Sequence, residues 1–148
     1  MKYFYIILSQ LLCFFQTASA CELIELPVSG RYALLHNQKI DLGEPDDINY
    51  PEHWLGPVSF IMESGKKCSI NIDLVQKPVS SGGNKLFIST YSGSVFVLYS
   101  IDTKNCSISW QSKVYSSKTI FEHGTLKIAG KKIPLDKECN VIEKYSNK

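Results

Sequence analysis

Apolar and polar residues alternate with a period of two along most of residues 30–142, the spacing that sends successive side chains to opposite faces of a β-strand. Within 68–74, Cys68, Ile70, Ile72 and Leu74 share one face and Ser69, Asn71 and Asp73 the other, which predicts a half-buried strand. Residues 106–110 repeat the pattern, with Cys106, Ile108 and Trp110 predicted inward and Ser107 and Ser109 outward. The run VFVLYSI at 95–101 is continuously apolar and rich in β-branched and aromatic side chains, so it predicts a central strand. KLFISTY at 85–91 precedes it across Ser92-Gly93-Ser94, a three-residue hairpin signal. Further strands are expected over 31–36, 58–63, 119–123, 125–128 and 132–135.

Turn chemistry separates these runs. His36-Asn37-Gln38, Ser64-Gly65-Lys66, Asp102-Thr103-Lys104-Asn105 and Ala129-Gly130-Lys131 supply residues that tolerate positive φ or bond their own backbone. Ser80-Ser81-Gly82-Gly83 has the composition of a flexible connection. Helical spacing is missing throughout, and only 138–145 could hold a last helical turn. Segments 56–70 and 93–108 share a glycine, a Val-containing strand, a polar turn and Cys-Ser-Ile, and 124–141 echoes them loosely. An antiparallel meander generates the same succession, so we read no duplication into it. The fold expected is all-β: a single small antiparallel sandwich or partly closed barrel of about eight or nine strands over 21–148.

Residues 1–20 read as a cleaved secretory signal. Lys2 gives a positive start, YFYIILSQLLCFF forms an apolar stretch at 3–15, and Ala18-Ser19-Ala20 offers the small side chains a signal peptidase accepts. As a helix that stretch rises only about 20 Å, short of the roughly 30 Å hydrocarbon core, and no second run reaches spanning length. A soluble periplasmic or secreted chain is therefore expected. Of the 5 cysteines, Cys13 leaves with the signal, and Cys21, Cys68, Cys106 and Cys139 remain. An even set in an oxidising compartment can form two bridges, and Cys21–Cys139 with Cys68–Cys106 is the preferred pairing among three. A lipid anchor on Cys21 is disfavoured, because Ala18 stands where lipoprotein signals usually carry Leu and because lipidation would strand an odd thiol. The cysteines lack CxxC spacing, and residues 41–47 lack alternating oxygen ligands, so no metal or other cofactor is expected.

Charge changes the picture more than composition does. The formal net charge of +2 gives no nucleic-acid footprint. It nevertheless conceals a segregation. DLGEPDDINYPEHWL at 41–55 holds Asp41, Glu44, Asp46, Asp47 and Glu52 with no Lys or Arg, whereas 56–148 carries 13 basic against 7 acidic residues, a net of +6. Pro45, Pro51 and Pro57 stiffen the acidic segment, and Tyr50 and Trp54 give it large amphipathic rings.

Catalytic arrangements are harder to find. His36, His53 and His123 sit in turn or loop contexts, and the GxSxG, HExxH and phosphate-loop strings are absent. Asn105-Cys106-Ser107 is a glycosylation sequon whose use depends on the source. The expectation is a non-enzymatic protein-binding domain of inhibitor or immunity type, docking 41–55 into a basic cleft of another protein. Glu44, Asp46, Asp47 and Glu52 would supply complementarity, and Tyr50 and Trp54 the anchors. The alternative is a carrier of a small apolar ligand, with Phe96, Tyr99, Trp110 and Phe121 around a barrel cavity.

Overall fold

Short β-branched and aromatic runs separated by turn residues become fourteen strands in the computed structural model, which describes residues 21–36 and 38–142. The signal segment and the end of the 138–145 stretch lie outside the described residues. In chain order the strands are β1 (Ile24–Glu25), β2 (Val28–Ser29), β3 (Tyr32–Leu35), β4 (Gln38–Asp41), β5 (His53–Trp54), β6 (Val58–Ile61) and β7 (Lys67–Ile70). They continue as β8 (Val75–Gly82), β9 (Lys85–Ser92), β10 (Val95–Asp102), β11 (Ser107–Gln111), β12 (Ile120–Glu122), β13 (Thr125–Ile128) and β14 (Lys131–Lys132). Nine have four residues or more, which matches the expected antiparallel all-β fold.

Three open sheets result. The first is ordered β1-β8-β9-β10-β11, with β5 also paired to β8; the second is β2-β3-β4-β6-β7; the third is β12-β13-β14. The first sheet lies between the other two, because successive residues of β9 enter different cores. Leu86 and Ile88 join a cluster with Ala33, Ile40, Val58 and Phe60 of the second sheet. Phe87, between them in sequence, packs with Leu98, Leu126 and Ile133 toward the third. A stretch covered on both faces reads as a continuous apolar run, which is the pattern of residues 86–88 on β9 and 95–99 on β10.

Both disulfides take the expected pairing. Cys68 on β7 reaches Cys106 beside β11 and so ties the second sheet to the first, while Cys21–Cys139 closes a separation of 118 residues at the edge of the second core. Bridges of this kind suit an oxidising compartment. No helix among the described residues is long and apolar enough to cross a membrane.

The structure corrects three local expectations. Residues 80–83 are largely not a connection: Ser80, Ser81 and Gly82 complete the buried strand β8. Small residues are required there, since a Cβ on Gly82 would stand 2.7 Å from Leu23 and 2.8 Å from the Cys139 sulfur. Pro78 sits where the β8–β9 register shifts and no ladder N–H is needed. Ile108 and Trp110 do not share a face. A bulge sets Ile108 opposite Ile101 and Trp110 opposite Ser100, neighbours on β10 that point apart, and Ile108 ends 42% exposed on the edge strand. The β9–β10 connection has two residues, not three, because Ser92 pairs directly with Val95 around Gly93 at φ 63°.

Candidate functional site

The acidic segment leaves the second sheet at Asp41 and rejoins it at β6, and its base is sealed by backbone contacts. Gly43 bridges Gly56 and Pro45 bridges Trp54, while Leu55 N donates to Glu44 O at 2.8 Å and Asp46 N to His53 O at 2.9 Å. Glycine is obligatory at the seal. A Cβ on Gly43 would lie 2.4 Å from the Gly56 oxygen, and one on Gly56 only 2.0 Å from the Ile72 oxygen. Below it, Arg31 donates to both oxygens of Asp41, at 2.8 and 2.9 Å. Partial burial pushes the Asp41 carboxyl up, but the guanidinium and the Gly43 amide outweigh it and hold it below the usual carboxylate range.

Two carboxylates build the tip from within. One oxygen of Asp46 accepts the backbone N–H of Asp47 at 2.9 Å, of Glu52 at 3.1 Å and of His53 at 3.1 Å. The other faces His53 Nδ1 at 2.9 Å. Asp47 in turn accepts from Asn49 N at 2.8 Å and Tyr50 N at 3.1 Å. Hydrogen bonding from the His53 ring and these amides holds the Asp46 carboxyl far below its ordinary range. Since Nδ1–H is given to Asp46, Nε2 accepts from the Gln76 amide at 3.1 Å. The imidazole thus locks the loop to β8 and offers no free lone pair for proton transfer. Gln76 is 2% exposed and its Oε1 has no partner among the described residues, and the His53 ring lies 4.5 Å from that of Tyr91.

The six side chains expected to meet a partner are sorted by this geometry. Tyr50 stands 82% exposed, and the Glu44 and Glu52 side chains are 73% and 58% exposed, Glu52 with Lys77 at 3.4 Å. Asp46 and Asp47 are exposed but engaged with the loop's own backbone. Trp54 is 1% exposed and its Nε1 donates to Gly30 O at 2.9 Å, so its ring belongs to the first core and is closed to a partner. Two apolar side chains missed by sequence reasoning stand outside instead, Ile48 at 72% and Leu55 at 61% exposure. Ile48 carried a usable signal, an aliphatic residue among acids with no other aliphatic residue at strand spacing.

The rings assigned to a carrier cavity are dispersed. Tyr99 packs on the first core, Trp110 and Phe121 on the second, and Phe96 stacks on Tyr115 with centroids 5.8 Å apart. His36 and His123 occupy turn positions at φ 54° and 48°. No protein-family model and no curated protein matches the chain.

Asp46 is testable on its own. Asp46→Ala removes the acceptor of three amides and the orienting partner of His53, and should cost about 1–2 kcal/mol at neutral pH, as loss of a capping carboxylate does. The folded carboxyl titrates below its unfolded value of about 3.9, so its contribution is full above that pH and is lost as pH falls through the folded value. Urea midpoints for wild type and variant should therefore differ at pH 7 and converge toward pH 2. A constant gap would show that the carboxylate charge is irrelevant.

Proposed function

We propose that the chain is an exported, non-enzymatic protein-binding domain that inserts the tip of loop 41–55 into a partner, in the manner of an inhibitor or immunity protein. The supporting observation is that Tyr50 and Ile48, 82% and 72% exposed, project from a segment whose backbone N–H groups at residues 47, 49, 50, 52 and 53 are already bound by Asp46 and Asp47. Isolated exposed apolar residues are ordinary, but a rigid pair at the end of a projecting loop is the form a binding anchor takes. A loop fixed before contact loses little conformational entropy in binding. Glu44 at the base of the loop and Glu52 nearer its tip, 73% and 58% exposed, keep the segment acidic although Arg31 and Lys77 stand 4.0 and 3.4 Å from them, which favours a partner with basic residues around an apolar pocket. Periplasmic or secreted residence accords with the disulfides, and it brings the domain to hydrolases or toxins of that compartment.

The test is capture from the native extracytoplasmic fraction with the mature domain as bait. The double variant Ile48→Ser/Tyr50→Ala should bind the captured protein at least about 30-fold more weakly, the loss of an anchor of about 2 kcal/mol or more. Its melting temperature should hold within a few degrees, because both side chains leave only solvent. Equal capture by wild type and variant would refute the reading.

A further inference from the structure

We propose that a groove between the end of the first sheet and the third binds a small apolar anion, a single aromatic ring or short alkyl chain carrying a carboxylate. The groove holds about 230 Å³ and runs between residues 110–115, the β13–β14 hairpin and residues 133–142. Its floor and walls are Trp110, Tyr115, Ile128, Ile133 and Val141, all members of the second core or packed against it. Its rim carries Lys113, Lys131 and Lys132, and among the described residues no acidic side chain lines it.

Three features make this a formed site. Tyr115 is fixed: its backbone exchanges hydrogen bonds with Phe96 at 2.8 and 3.0 Å, its ring stacks on Phe96, and its hydroxyl bonds Thr119. The opposite wall is held by Cys21–Cys139 and by the Asp136 carboxylate, which accepts from Glu138 N at 2.9 Å and Asn140 N at 2.8 Å. Ser112 beneath the rim has its hydroxyl engaged by Leu98 N at 2.9 Å, so the interior presents apolar surface with no unsatisfied hydroxyl.

Charge decides the ligand. Lys77, Lys85 and Lys127 each meet a carboxylate, but none of the three rim lysines does so among the described residues. Cationic side chains without a carboxylate partner beside an apolar floor favour an anion with an apolar body over a cation or a neutral chain. Size narrows it further. Sites for drug-sized molecules begin near 300 Å³, so this groove suits one ring or a short chain. The site stands apart from loop 41–55, and its proof or failure leaves the docking reading untouched.

Trp110 lies in the groove and Trp54 in the first core, so tryptophan fluorescence can report occupancy. Titration of the mature domain with octanoate should give a saturable change that disappears in Trp110→Phe and that 200 mM salt weakens severalfold. Octylammonium and octanol should bind at least tenfold more weakly, and Lys131→Glu/Lys132→Glu should lose at least tenfold in octanoate affinity with an unchanged melting temperature. Ile48→Ser/Tyr50→Ala should bind octanoate like the wild type. Methyl resonances of Ile128 and Ile133 should shift with the same midpoint. No saturable response, equal affinity for the three head groups, or full binding by the lysine variant would overturn the proposal. So would salt-sensitive self-association without an octanoate response, which would put the acidic loop of a second copy in the groove.

Discussion

Replacing Cys21 and Cys139 together by alanine is expected to lower stability by about 5 kcal/mol, enough to leave a substantial unfolded population at 37 °C. The bridge closes a separation of 118 residues, and in the chain-entropy model a loop of that length costs the unfolded chain roughly 5 kcal/mol of freedom, against roughly 4 for the separation of 38 from Cys68 to Cys106. The effect should also be local. Cys139 is 2% exposed beside Leu23 and Gly82, so its release loosens the contact between β1, β8 and the third sheet. Alanine avoids burying a hydroxyl in place of sulfur. Urea unfolding followed by far-ultraviolet circular dichroism measures the loss, and a change below about 1 kcal/mol would mean that the second core holds these elements without the staple.

Trp54→Ala is expected to cost about 3–5 kcal/mol, the range for removing a large buried aromatic side chain. It should also abolish partner capture, although no partner can touch the ring. Trp54 pairs with Pro45 on one side and Val75 of β8 on the other, so it is the point at which the loop grips the first core. Trp54→Phe keeps most of the volume and loses only the bond to Gly30. It should cost about 1–2 kcal/mol and retain capture. Capture that survives Trp54→Ala in a folded sample would show that the tip holds its shape without its root.

The architecture was legible because two-residue periodicity is a direct imprint of a half-buried strand, and β10 betrayed its central place by losing the polar half of the alternation. The disulfide pairing was a preference among three, resting on the terminal places of Cys21 and Cys139, and the structure takes it. β8 was not, because the chain selects small polar residues where a neighbouring segment and a disulfide crowd the backbone, and Ser-Ser-Gly looks the same in a buried strand as in a linker. Trp54 and Tyr50 were indistinguishable as aromatic residues of one loop; what separates them is register. Trp54 sits on the two residues that pair with β8, whereas Tyr50 sits on the turn that Asp47 holds. The acids misled in a similar way. A carboxylate that caps its own backbone and one that waits for a partner have the same letter, and the difference lies in which amides fall within reach.

The meeting of Gly43 with Gly56 has an evolutionary and practical consequence. Two segments meeting where neither glycine tolerates a methyl group, Gly43 because of Gly56 and Gly56 because of Ile72, make the intervening segment a cassette, with its attachment geometry set outside the residues it displays. Changes at 48–50 then alter what the loop displays without moving β4 or β6, so the sequence of the tip is decoupled from folding of the sheet. The same separation makes the domain a display scaffold: a foreign peptide spliced between Asp47 and Pro51 would inherit a rigid, disulfide-backed mount.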